Sequence, residues 1–297
     1  MSQRPRPAAP QLISGLSEIA DRYDAVLCDV WGVIHNGRES FSAACDALTR
    51  YQAERGAPVV LISNAPRPSQ DVKPQLHALM VPDHAWAGFI SSGDATRAEL
   101  RRLAPTGPAW AIGPDRDMPL YDGTGVATFT GPEDCAFISA TGLFDDDQET
   151  PQDYQDRLAI AAARGVPMVC ANPDRVVQRG DKLIYCAGAL ADVYMALGGQ
   201  VMMAGKPFAP IYELALEEAS RLVGRPLDRS RILAIGDGLI TDVAGAQGQG
   251  LDCLFIAAGI HADDVFSPSG ELDRARVSAL LAASGLGAAY TIPHLVW

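Results

Sequence analysis

The chain has 297 residues, 48% of them hydrophobic and 20% charged, which is enough to bury a sizeable core and excludes a disordered polymer. A formal net charge of −12 argues against the basic surface that nucleic-acid binding needs, and no apolar run approaches the roughly 20 residues of a membrane span. Neither nucleic acid nor membrane is therefore expected as a partner. Six cysteines (Cys28, Cys45, Cys135, Cys170, Cys186 and Cys253) form no CxxC pair and fit small buried apolar residues in a reducing compartment, so the cytoplasm is the expected location.

The proline- and arginine-rich segment 1–10 has no apolar stretch and is expected to be a flexible tail, not a signal peptide. Apolar residues at 12, 13, 16, 19 and 20 follow helical spacing and predict a helix over 12–23. Next comes Ala25-Val-Leu-Cys-Asp-Val-Trp-Gly-Val33, where four apolar residues run straight into Asp29 and a turn at Gly32. That is the pattern of a strand buried on both faces, as in a parallel sheet. A helix over 42–55 ending at Gly56 and a second buried strand over 58–64 complete a strand–helix–strand unit. Helices are predicted at 71–80 and 94–103, with a short strand at 88–92 between them.

From about 105 the texture changes to short strands, at 109–112, 136–139 and 166–170, separated by loops rich in Gly, Pro and Asp. Helices are predicted at 151–164 and 190–197. The acidic run Asp145-Asp-Asp-Gln-Glu149 lacks the spacing of a calcium loop and fits a solvated flank at a helix start. After 201 the first pattern returns: helix 208–223, strand 231–235 running into Gly236-Asp237, helix 241–247, strand 253–257, and one helix within 271–297. The expected architecture is an α/β parallel-sheet core of Rossmann type, formed by 1–104 and 202–297, with an α/β domain inserted at 105–201.

Polar groups sit where these strands end or the next helix begins: Asp29, Ser63 with Asn64, Lys206, and Asp237 with Asp242. Parallel strands in one sheet bring such ends to one edge, where open α/β folds place their sites. Two carboxylates there repel unless a cation lies between them, and Mg²⁺ takes hard oxygen ligands. A hydroxyl and a lysine opposite make a cradle for one phosphate, leaving an Asp29 oxygen as a nucleophile. Each residue alone has a plainer explanation as a cap or turn.

The set Asp29-Val-Trp-Gly-Val33, Leu61-Ile-Ser-Asn64, Gly205-Lys206-Pro207 and Gly236-Asp237-Gly-Leu-Ile-Thr-Asp242 resembles the four motifs of the haloacid dehalogenase superfamily. Gly32-Val-Ile-His-Asn-Gly37, Ala171-Asn-Pro-Asp174 and the stretch from Gly188 to Gly199 are similar to its class IIA, NagD-like and p-nitrophenyl-phosphatase-like branch. The resemblance implies a Mg²⁺-dependent hydrolase of a small phosphorylated metabolite, with a cap over the site. Asp29 matches nucleophile and metal ligand, Asp237 a metal ligand, and Asp242 an outer carboxylate. Position 31 matches a ligand acting through its backbone carbonyl. Ser63 and Lys206 match the phosphate-holding pair, with Asn64 beside them; Asn172 and Asp174 match substrate-side contacts, against a simple turn. Dimerisation through the cap is implied by family habit alone.

The chain departs from the family at position 31, where the phosphatases carry an aspartate as general acid and base and this sequence has Trp31. Indole exchanges no proton at neutral pH. Slow turnover, reaction with a good leaving group, and a protein that keeps the metal and anion pocket for binding or regulation all remain open, as does His35 or a residue of the cap as a substitute. Carbon–halogen hydrolysis, which shares the nucleophile, fits Lys206 and Asp237 less well. For His261, Arg67 and Arg175, ordinary surface positions are expected.

Overall fold

The computed structural model describes residues 9–129, 131–179 and 182–297, so the tail expected over 1–10 lies outside it except for its last two residues. In chain order the strands and helices are β1 (Gln11–Leu12), β2 (Ala25–Asp29), α1 (Ser42–Arg55), β3 (Val59–Ser63), α2 (Ser69–Ala78), β4 (Gly88–Ser91) and α3 (Ser92–Leu103). They continue as β5 (Ala109–Ile112), β6 (Thr128–Phe129), β7 (Phe137–Ala140), α4 (Gln155–Ala163), β8 (Met168–Cys170), β9 (Val176–Arg179), β10 (Lys182–Tyr185), α5 (Ala187–Ala196) and β11 (Val201–Met203). The last stretch holds α6 (Ala209–Val223), β12 (Ile232–Gly236), α7 (Ala244–Gln249), β13 (Asp252–Ile256), α8 (Ala262–Val265), α9 (Arg274–Ala283) and β14 (Tyr290–Ile292).

The chain forms two compact units, one drawn from Met1–Ser63, Gln75–Phe89 and Tyr212–Trp297, the other from Asn64–Pro74 and Ile90–Ile211. The first is built on a sheet of order β1-β14-β13-β12-β2-β3-β4, parallel at every pairing from β1 to β3. All five residues of β2, β3 and β12 are buried, as continuous apolar runs in a parallel sheet require. Helix α1 ends at Gly56, whose φ of 62° lets its N–H bond back to the Gln52 carbonyl at 2.9 Å. All six cysteines are buried and none forms a disulfide, as their spacing implied.

The helix expected over 12–23 does not form. Gln11 and Leu12 instead pair with Tyr290 and Thr291 of β14, a strand the sequence reading had also missed. Two short 3₁₀ turns, Leu16–Glu18 and Ala20–Arg22, follow. Gly15 is extended and so close to the backbone of Trp297 that a methyl group would clash, while Leu16 N–H bonds to the Val296 carbonyl at 2.8 Å. Pairing with the far end of the chain has overridden the local periodicity.

The second unit has its own parallel sheet of order β11-β8-β7-β5-β6, covered by a core that includes Trp110, Ile138, Met168, Leu190 and Tyr194. Helix α3 begins with a capping box in which Ser91 and Asp94 satisfy each other's backbone N–H. An antiparallel ribbon of β9 and β10, absent from the sequence reading, also lies here. The acidic run at 145–149 is not a uniformly solvated flank: Asp146 is mostly buried and ion-paired to both Arg116 and Arg179. Arg67 likewise is no free surface residue, since it lies 3.7 Å from buried Asp117. Arg175 pairs with Asp192 at 3.0 Å where both are exposed. Among the described residues no helix is long and apolar enough to cross a membrane.

Candidate active site

In the first unit β2 delivers Asp29 as its last residue, and β12 delivers Asp237 one position beyond its end. Asp242 comes from a single wide helical turn, Leu239–Val243, in which the Val243 N–H reaches the Gly238 carbonyl five residues back. Such wide turns concentrate at functional positions. The three carboxylates are buried, and one oxygen from each lies within 4.8 Å of the others. Backbone donors hold them: Val30 N–H on Asp29 Oδ1 at 2.7 Å, Ile260 N–H on Asp237 Oδ2 at 3.2 Å, and Gly238 N–H on Asp242 Oδ2 at 3.0 Å.

Glycine makes this approach possible in two places. Gly32, at φ 85°, would carry a Cβ 2.8 Å from Asp237 Cγ, and Gly259 would carry one at 2.5 Å from the same atom. Gly259 lets the backbone lie against Asp237. His261 itself is half-buried, 3.5 Å from Asp264.

Three buried carboxylates this close repel strongly, and an all-oxygen donor set with a charge deficit suits a hard divalent cation such as Mg²⁺. The residues present therefore fit a metal.

Trp31 and His35 follow Asp29 in the same loop. The indole meets the His35 ring edge-on, centroids 5.0 Å apart, and packs against Gly37, where a Cβ would lie 2.6 Å from Trp31 Cη2. His35 is buried, which pushes its pKa down to about 4, and its Nδ1 accepts the Gly37 N–H at 3.1 Å. It is a neutral structural imidazole, and the idea that it replaces a missing acid loses its support. Ser63 closes β3 and is buried.

In the second unit Asn64, Asp174 and Lys206 come together. The Asn64 amide accepts the Lys206 N–H at 2.7 Å and donates both to the Lys206 carbonyl at 3.1 Å and to Asp174 Oδ1 at 2.8 Å. Asn172 Oδ1 accepts the Asp174 N–H at 3.1 Å, so residues 172–174 do form a local turn that also presents Asp174 to Asn64. Gly205 lets the chain pass, because a Cβ there would lie 2.6 Å from Asn64 Oδ1 and 2.8 Å from Pro173 Cδ. Lys206 is buried.

Two family profiles match the chain, one described as haloacid dehalogenase-like hydrolase over residues 26–127 and one as HAD-hydrolase-like over 203–276. A solved hydrolase of the haloacid dehalogenase-like family from Brucella suis is 42% identical, with a TM-score of 0.84, covering 96% of this chain and 100% of that one. The 5'-nucleotidase YutF of Bacillus subtilis is 25% identical over 84% of this chain and 95% of its own length. The ribonucleotide monophosphatase NagD of Escherichia coli K12 is 25% identical over 82% and 91%. With the Brucella suis hydrolase matched over nearly the full length of both chains, the parallel core with an inserted α/β unit, and the buried carboxylate trio, the chain belongs to the haloacid dehalogenase-like hydrolases, in their NagD-like class IIA branch.

Proposed function

We infer that the protein is a Mg²⁺-dependent phosphatase of a small phosphorylated metabolite, working through a phosphoryl group carried on Asp29. The observation that carries this is the buried cluster of Asp29, Asp237 and Asp242 at the carboxyl end of a parallel sheet. Asp29, Asp237 and the backbone carbonyl of Trp31 are assigned to hold the cation, with Asp242 orienting the set from outside. When bound, Mg²⁺ supplies charge neutralisation for the phosphoryl oxygens and for the carboxylates themselves.

Asp29 attacks phosphorus as nucleophile, and Val30 N–H fixes one of its oxygens so that the other is aimed. Ser63 and Lys206 are assigned to the phosphoryl oxygens. Asn64 holds the lysine by both sides of its peptide, so that its ammonium is presented from a fixed backbone. Asn172 and Asp174 contribute the substrate side, in Asp174's case through Asn64. The inserted segment 105–201 is assigned as the cap, excluding water and selecting the substrate.

The names of the relatives, a 5'-nucleotidase and a ribonucleotide monophosphatase, support a phosphate monoester as substrate. Trp31 favours a second reading, a homologue that binds cation and anion without turnover. Calorimetry with MgCl₂ and a phosphatase assay on wild type and Asp29→Asn decide between them. Metal binding with Asp29-dependent phosphate release is the expected result; metal binding without release establishes the binding protein. Dimerisation through the cap is proposed on family habit and checked by sedimentation.

A further inference from the structure

We propose that Trp31 restricts this enzyme to phosphoryl donors whose leaving oxygen departs without a proton, such as acyl phosphates and phosphates of acidic phenols. The proposal rests on Asp29 taking the phosphoryl group, as inferred above.

When the Asp29 oxygen bonds to phosphorus, the bond from phosphorus to the leaving oxygen breaks and its electron pair goes to that oxygen. An alcohol leaving in this way becomes an alkoxide, whose conjugate acid, like water, is far too weak an acid to give up its proton at neutral pH. The conjugate acid of a carboxylate leaving group has a pKa of about 4, and an unsubstituted phenol one of about 10. A proton must therefore be supplied to an alkoxide but not to a carboxylate.

Among the described residues, the side chains that the loop and carboxylate contacts place beside Asp29 in its own unit do not supply it. Trp31 has only an indole N–H, which is not an acid at neutral pH. Its ring is pinned between Gly37 and the edge of His35, so the position is filled by a fixed apolar plate. His35 uses Nδ1 to accept a backbone N–H within the loop. Asp237 and Asp242 accept N–H groups from Ile260 and Gly238 and are assigned to the cation. Gly32 and Gly259, packed on Asp237, have no side chain at all.

With an acyl phosphate the first step balances without acid: the carboxylate leaves as an anion and Asp29 becomes an acyl phosphate itself. In the second step water attacks that phosphorus, its proton moves to a phosphoryl oxygen, and Asp29 and dihydrogen phosphate are released. The second step is the same for every substrate, so leaving-group selection is read in kcat/KM, which reports the first step even where the second limits kcat.

The test is a series of para-substituted phenyl phosphates of matched size, with acetyl phosphate and ethyl phosphate at the extremes, on wild type, Trp31→Asp and Trp31→Phe. Wild-type kcat/KM is expected to fall at least about 100-fold from the most to the least acidic leaving group, the scale of a missing general acid. Trp31→Phe should keep that steep dependence and Trp31→Asp should flatten it. A shallow dependence in wild type, or Trp31→Phe behaving like Trp31→Asp, overturns the proposal. If Trp31→Asp fails to fold, the wild-type series alone decides. Absence of Asp29-dependent turnover of every compound overturns the phosphatase assignment itself, and the proposal with it.

Discussion

Gly259→Ala tests the carboxylate cluster without touching a functional side chain. The added Cβ would sit 2.0 Å from Asp237 Oδ2, where ordinary contact begins at 3.4 Å. Asp237 or its supporting loop must therefore retreat by about 1.4 Å, more than the ~1 Å displacement that costs on the order of 100-fold in catalysis. Overpacking of this kind also destabilises by about 1–3 kcal/mol. Backbone strain does not confound the comparison, because Gly259, unlike Gly32, is absent from the glycines with positive φ. The assay is magnesium calorimetry with thermal melts in the presence and absence of the ion, and phosphate release from an aryl phosphate. Weaker magnesium binding, a smaller magnesium-induced rise in Tm and a kcat reduced roughly 100-fold are expected. Gly248→Ala is the control: it lies in α7 with nothing within 4 Å of an added Cβ, and should gain about 0.5–1 kcal/mol with unchanged metal binding. A Gly259→Ala protein that binds magnesium and melts as wild type does would refute the contact on which the site depends.

Other expectations are independent of that one. Asn64→Asp keeps the shape but turns the donating amide toward the Lys206 carbonyl and the Asp174 carboxylate into a second carboxylate; denaturant melts should show a loss of about 3 kcal/mol. His35, neutral when folded with a pKa near 4, sets a pH-dependent penalty. Above its unfolded pKa of about 6.5 it carries none; as pH falls from there toward about 4 the unfolded chain takes up a proton the native one refuses, and stability drops. His35→Asn, which retains an acceptor for Gly37 N–H, should flatten that window in pH-dependent melts. Asp24 behaves in the acid range: its hydrogen bond to Arg231, reinforced by Arg225, holds its pKa down at about 2. The stability it adds is complete above the usual carboxylate range and lost as pH falls through about 2, so Asp24→Asn should cost about 1 kcal/mol at neutral pH and less in strong acid.

The parallel core was legible because its signal is local. Runs such as 25–28 and 59–62 are apolar throughout and stop at a polar residue, which fixes both the strand and the edge at which Asp29 and Ser63 emerge. The same logic found Asp237 and Asp242, though not the wide turn that brings Asp242 back over Gly236. What the sequence hid was long-range. Gln11 and Leu12 are strand residues only because β14 lies beside them, and Gly259 matters only because Asp237 lies beneath it. Asp146 looked solvated within its acidic run; the arginines that neutralise it stand 30 and 33 positions away. Lys206 was found by its motif, whereas the side chain that seats it could be named only once the Asn64 amide was seen on both sides of its peptide.

That seat has a bearing on how the protein is made and remade. Asn64 is separated from Asp174 by 110 positions and from Lys206 by 142, so its two bonds to the lysine close a loop that nascent chain cannot close until synthesis has passed Lys206. The lysine's anchorage is thus among the late products of folding. A hybrid in which the intervening sequence came from a relative would inherit a loosely held lysine unless the donor brought its own hydrogen-bond acceptor to the place of Asp174.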